Sequence, residues 1–342
     1  MKAQGGLWAV LLLACGTSNT SSDAGSDGGG GDGGAGWKLS GLDGNVISVL
    51  AVDPRTPSTI FAGADAASAT PGLFRSKDSG QTWTAVAGGL PAQSVQSVAV
   101  SPTQNAVIAA VGIATFVSTN GGDTWTESTN DPGGVSTIVF HPNGSMAFTV
   151  SSQQGMYTSS DNGASWNKIT STGLPPLNTV GLGPLAHDGA KLYLGTGGQG
   201  VYVSSDGGAT FTGPSTGIPQ AFADTINALA TSPARPGVVF ALTNADGLYR
   251  SNDSGATFTK VTAATPTRYS AALVDRLTPT IAYTSLDETQ GGPGGIARTT
   301  DDGVTWPTFG PATIPVVALD ESPTDGALYA GTIGRGVWRY GP

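Results

Sequence analysis

Carboxylates, amides, guanidinium groups and a phenol that could meet a ligand stand in short stretches along the chain. These are Asp43 and Asn45, Asp65, Arg268 and Tyr269, then Asp287, Glu288 and Gln290, and finally Arg335. Carboxylates and amides hydrogen-bond sugar hydroxyls or peptide groups, and a guanidinium can clamp a carboxylate with two parallel bonds. If Asp43 or Asp65 faced Asp287 or Glu288 across roughly 5 to 10 Å, glycoside hydrolysis would become feasible. Other patterns carry less. Residues 195–200 (GTGGQG) fit a dinucleotide fingerprint, but they join two expected strands and open no helix to hold a pyrophosphate. Residues 213–217 (GPSTG) fit a hydrolase elbow without its strand-to-helix setting. The two histidines, His141 and His187, fall where a first strand turns into a second, and no Cys or carboxylate stands near them at ligand spacing. They read as turn residues, with no metal site and no cofactor expected. Asp-rich loops leave calcium open, although none has the spacing of an EF-hand.

Those residues belong to loops, so their meaning depends on what positions the loops. An eight-residue motif, Ser-x-Asp-x-Gly-x-Thr-Trp, recurs at 76–83, 118–125, 159–166, 204–211, 251–258 and 299–306, each time after a short strand such as Gly-Leu-Phe-Arg-Ser. Its third residues, Asp78, Asn120, Asp161, Asp206, Asp253 and Asp301, lie 41 to 48 residues apart. That interval is one four-stranded propeller blade. Within a tight turn the Ser and Asp side chains can accept backbone N–H bonds, and the Gly can take positive φ. The aromatic can bury on the order of 200 Å² between neighbouring blades.

Blade 1 is expected to run as strands 46–52, 59–63, 72–76 and 82–86. A seventh third strand, 336–340, is followed by no motif, while residues 37–40 (WKLS) read like the segment after each motif. The N-terminal strand should therefore close the last blade, making an all-β, seven-bladed β-propeller without a free edge. The loops 64–71 and 285–294 would then flank that blade on the face opposite the motif turns, gathering the candidate residues around the central channel.

The motif resembles the Asp-box, or bacterial neuraminidase repeat, of sialidases, xyloglucan-cleaving glycosidases, sortilin-type receptors and photosystem II assembly factors. The resemblance implies a propeller in which the motif aspartates are structural, Asn120 departing from the pattern but keeping an acceptor. It does not select a function, because such propellers include enzymes and non-enzymes. A sialidase would carry an arginine cluster announced by a Phe/Tyr-Arg-Ile-Pro segment, and none occurs. Xyloglucan-cleaving relatives set two propellers across a cleft, and this sequence accounts for one.

The cellular address is written at the N-terminus. A short apolar stretch, 7–14, precedes Cys15, the only cysteine, and Leu12-Leu13-Ala14-Cys15 resembles a bacterial lipobox. Eight apolar residues are too few to span a bilayer. The expected organisation is a lipoprotein signal peptide at 1–14, lipidated Cys15 and a Gly/Ser/Asp tether to residue 36, and the propeller at 37–342. A tether of about 20 such residues averages roughly 25 Å end to end. Only 11% of residues are charged, and the net charge is −9. The low charge suits an extracytoplasmic protein, and scattered basic residues argue against nucleic acid. The resulting expectation is a monomeric, lipid-anchored propeller of the bacterial envelope, at the outer membrane or cell surface, binding protein or glycan without catalysis. The alternative is an Asp-box glycoside hydrolase acting on extracellular polysaccharide.

Overall fold

The computed structural model describes residues 36–176, 180–221, 225–262, 270–286, 294–310 and 314–342. Cys15, the signal segment and most of the tether lie outside these residues, so the anchor reading stays an expectation. Every regular element among the described residues is a strand, and the strands form seven antiparallel sheets.

In blade 1, Ile47–Val52, Ile60–Ala64, Gly72–Ser76 and Thr84–Ala85 pair in chain order, innermost first. The innermost strands of the next six blades are Val95–Val100, Val135–Phe140, Leu182–His187, Ile226–Ala230, Ala272–Val274 and Val316–Glu321. Each lies against its neighbours, and the last lies against the first. The last blade takes its outer strand from the other end of the chain. Lys38–Gly41 pairs antiparallel with Val337–Tyr340, Leu39 opposite Trp338, as the sequence led us to expect.

Apolar packing explains why the blades stack. Second strands such as Ile60–Ala64, Val107–Val111 and Leu328–Thr332 are buried along their whole length, because each has a blade against both faces. The buried side chains divide into seven clusters, one per blade boundary. Gly63 is placed by this stacking: a Cβ there would come within 2.8 Å of Val95 in the next blade.

The Asp-box turns work as hydrogen-bond cages. In blade 1 the Ser76 hydroxyl donates to Asp78 Oδ1 at 2.7 Å and accepts from Gly80 N–H at 2.8 Å. The Thr82 N–H donates to Asp78 Oδ1 at 2.8 Å, and the Thr82 hydroxyl donates to Oδ2 at 2.5 Å. These bonds, those from Thr82 foremost, hold the partly exposed Asp78 carboxyl down at about 2. The fourth motif residue is left-handed, with φ 60° at Ser79, 61° at Asn162 and 61° at Ser254. Short polar residues and glycine tolerate that conformation best, which accounts for the choice at this site.

The motif aromatics turn inward between blades: Trp125 packs with Phe61 and Leu73 of the preceding blade, and Trp306 meets Phe240 edge to face at 5.8 Å. This inward turn shortens the outer strand of blade 1 to Thr84–Ala85, against the expected 82–86, since Thr82 is bound to Asp78 and Trp83 is withdrawn from the sheet edge. In blades 4 and 6 the outer pairing narrows to the single bridges Val203–Thr212 and Ala297–Thr308.

Candidate functional site around the central channel

The seven innermost strands enclose a channel with a cavity of about 820 Å³. Its wall is largely aliphatic, with Val49, Val98, Ile138, Leu185, Leu229 and Leu273 among the lining residues and Ser48, Ser97 and Thr137 interspersed. Blade geometry gives the channel two mouths. The inter-blade and second-to-third-strand loops surround one, and the Asp-box and first-to-second-strand turns surround the other.

Four of the expected site residues stand at the loop face. Asn45 is 5% exposed and spent on structure. Its Oδ1 accepts the Thr70 N–H at 3.2 Å, its Nδ2 donates to Leu42 O at 3.1 Å, and its carbonyl accepts from Gly334 at 3.1 Å. It thereby ties blade 1 to the blade 7 loop. Asp65 accepts the Ala67 N–H at 3.0 Å and the Ser94 hydroxyl at 3.2 Å. Asp43 is exposed and accepts the Gly44 N–H at 3.0 Å. Arg335 is exposed, with no ion pair among the described residues. Arg268, Tyr269, Asp287, Glu288 and Gln290 lie outside the described residues. Two apolar tips also project at this face, Ile113 at 82% and Ile333 at 44% exposure.

The turn face is more highly charged and more tightly paired. Blades 1, 2, 3, 5 and 7 place Pro54, Pro102, Pro142, Pro233 and Pro323 just after the innermost strand, but blade 6 places Arg276 there. The Arg276 guanidinium donates through Nη2 to Asp320 Oδ1 at 2.6 Å and through Nη1 to Glu321 O at 3.0 Å. Asp320 Oδ2 in turn accepts the Val52 N–H at 2.7 Å, so one carboxylate joins blades 6, 7 and 1. Glu321 is 1% exposed, and burial, with the Asp275 charge adding to it, lifts its carboxyl to about 7. Sequence reading missed this group. Its signal was an arginine at a repeat position otherwise held mostly by proline, and a charged pair, Asp320-Glu321, ending an inner strand.

His141 and His187 meet at this mouth, with ring centroids 4.4 Å apart. Each Nδ1 accepts a backbone N–H two residues ahead, from Asn143 at 3.2 Å and from Gly189 at 2.9 Å. That is the bond the carboxylate of Asp53 makes to Arg55 N in blade 1. His141 therefore holds its turn as Asp and Ser do elsewhere. In blade 4 that position belongs instead to Asp188, whose Oδ1 accepts the Ala190 and Lys191 N–H groups, and His187 is the last residue of the inner strand. An accepting Nδ1 places a neutral ring's proton on Nε2. Burial first, and His141 second, hold the His187 ring down at about 4. Among the described residues no three His, Cys, Asp or Glu side chains are grouped to hold a metal.

Residues 71–172 match the family model of sortilin and neurotensin receptor 3. Motif cages recur on six of the seven sheets, and the matched residues contain three of them. The chain is an Asp-box β-propeller. No curated protein matches the sequence. Among solved structures, the Asp-box propeller is similar to the GH74 xyloglucanase from Xanthomonas campestris, with TM-score 0.72 and 18% identity over 90% of this chain and 53% of that one. It thus spans about half the length of that enzyme. It is also similar to YCF48 from Cyanidioschyzon merolae, with TM-score 0.65 and 15% identity over 90% of this chain and 99% of that one. YCF48 bound to D1 peptide gives TM-score 0.64 at 14% identity, covering 90% and 97% of the two chains. At these identities the likeness concerns fold alone.

Proposed function

We propose that this propeller is a non-catalytic binding or scaffolding module that presents its loop face to a protein or glycan, held in the bacterial envelope by lipid on Cys15. The observation that carries the reading is the state of the carboxylates around the channel. A glycosidase needs a proton-bearing carboxyl that substrate can reach, and a second carboxylate facing it across the scissile bond. The group here with a general acid's titration, Glu321, is buried beneath an Arg276–Asp320 pair. At the loop face Asp43 and Asp65 spend oxygens on backbone N–H groups. The exposed Ile113 and Ile333 and the exposed Arg335 offer apolar and cationic contact to a partner instead. Peptide binding by a YCF48 of the same fold is consistent with this use of the scaffold.

A pull-down from envelope extracts and a glycan array, both using residues 37–342, test the proposal. Specific retention of a protein or glycan, weakened by Arg335→Ala, is expected. The second reading, an extracellular polysaccharide hydrolase, draws on the xyloglucanase likeness. Polysaccharide hydrolysis that disappears in Asp287→Asn with Glu288→Gln would replace the binding reading with this one. Radioactive palmitate should label the wild type and not Cys15→Ser, and equal labelling would remove the anchor.

A further inference from the structure

Three carboxyl groups crowd the junction between blades 6 and 7, and their hydrogen bonds do not balance if all are ionised. Asp320 is satisfied by Arg276 and by Val52 N–H. Asp275 accepts the Leu277 N–H at 2.9 Å and the Thr278 N–H at 2.7 Å on Oδ1, and the Tyr283 hydroxyl at 3.3 Å on Oδ2. Glu321 accepts the Arg276 N–H on Oε2 at 2.7 Å. Its Oε1 is buried and has no partner. An ionised oxygen left so would be costly, since desolvation of a buried charge is repaid only by pairing. The one guanidinium within reach is already spent on Asp320 and on the Glu321 carbonyl. The carboxyl facing Glu321 is Asp275, itself 7% exposed. An O–H on Glu321 Oε1 directed at the Asp275 carboxylate removes both faults at once: it fills the orphan position and turns repulsion between two acids into a charge-assisted bond.

We propose that Glu321 and Asp275 share one proton across the blade 6 to blade 7 junction, and that releasing it to solvent loosens the junction and the channel mouth it supports. The surrounding groups do not supply a substitute for the proton. Blade 6 contributes Asp275, Arg276, Tyr283 and Arg298. Blade 7 contributes Asp320 and Asp325, and blade 1 contributes the Asp53–Arg55 pair beyond Val52. Of the cations, Arg55 is paired with Asp53, Arg276 is committed, and Arg298 lies over the Phe309 ring at 4.9 Å. Proton loss would thus leave two carboxylates in contact, offset only by Arg276, whose guanidinium already serves Asp320. Arg276 and Asp320 line the channel, so strain at the junction reaches its mouth directly.

The direction of the pH effect follows from linkage. Burial raises the Glu321 carboxyl from 4.5 to about 7, so opening the junction releases a proton between those values. The junction is firmest below pH 4.5 and weakens as pH rises to about 7, and above that the proton has already left the closed state. Within this window the opening constant should rise about tenfold per pH unit.

Hydrogen exchange, corrected for intrinsic rate, measures this on the full chain. Amides of Ala272–Val274 and Val316–Glu321 should gain exposure with pH, while those of Val107–Val111 and Ala147–Ser151 should not. Glu321→Gln, which keeps a donor toward Asp275, should flatten the profile. Carbon-13 NMR of the wild-type carboxyls adds a readout that needs no variant: the Glu321 carboxyl should titrate near neutrality. A Glu321 carboxyl titrating in the ordinary acid range, or a pH dependence that persists in Glu321→Gln, overturns the proposal.

Discussion

Two blade boundaries, between blades 2 and 3 and between blades 6 and 7, achieve the same closure by different means. At the first, the motif 159–166 packs down on the preceding blade. Trp166 is 1% exposed and donates from Nε1 to Thr115 Oγ1 at 3.0 Å, and the Ser128 hydroxyl donates to Gly163 O at 2.6 Å. At the second, blade 7 carries no motif, and Trp37 stands where the motif tryptophan would be. It lies 6.2 Å from Phe309 and 5.5 Å from Tyr340, ring to ring, and its Nε1 donates to Phe309 O at 3.3 Å. Aromatic filling can therefore be supplied from a distant part of the chain. The cage of turn hydrogen bonds cannot, and at this boundary buried carboxyl groups sit beside the aromatic seal.

The largest effect should come from removing residues 36–41. This strips the pairing from Val337–Tyr340 and exposes a strand edge, so the protein should lose its single cooperative melt and aggregate with increasing concentration. Retention of a monomeric, cooperative melt would mean that the ring does not depend on its closing strand. Next in size, Trp166→Ala should cost roughly 3 to 5 kcal/mol, the range for a fully buried aromatic. Trp37→Ala, at a half-buried site, should cost about half as much, and equal urea midpoints for the two variants would erase the distinction between the boundaries. The smallest effect concerns the cages. Asp78, Asp206 and Asp301 are held at about 2, first by the Thr82, Thr210 and Thr305 hydroxyls. Their folded values lie below the unfolded 3.8, so their contribution is present above 3.8 and lost as pH falls toward 2. Changing the three to Asn, the residue native at position 120, should flatten that acid limb in urea unfolding, and an unchanged limb would assign it to other carboxylates.

The repeat made most of the scaffold legible. Six motif copies announced six blades, and the likeness of residues 37–40 to the segment after each motif located the seventh blade's outer strand. Motif aspartates read as structural are seen holding turns, as at Asp78 and Asp161. The candidate site was less legible. Asn45 was singled out for its amide, yet that amide is consumed in joining two loops, which only their spatial meeting reveals. His141 takes the turn position expected of it, whereas in blade 4 Asp188 takes that position and His187 ends the inner strand, and nothing in a linear reading says that the two rings touch.

By itself, then, the sequence determined the architecture, because a turn motif is a local device whose hydrogen bonds fall within eight residues and whose period counts the blades. The tertiary structure decided which polar groups are committed and which are left over. Arg276, Asp275 and Glu321 come from two repeats, and the raised Glu321 carboxyl depends on burial and on partners brought together only when blade 6 meets blade 7.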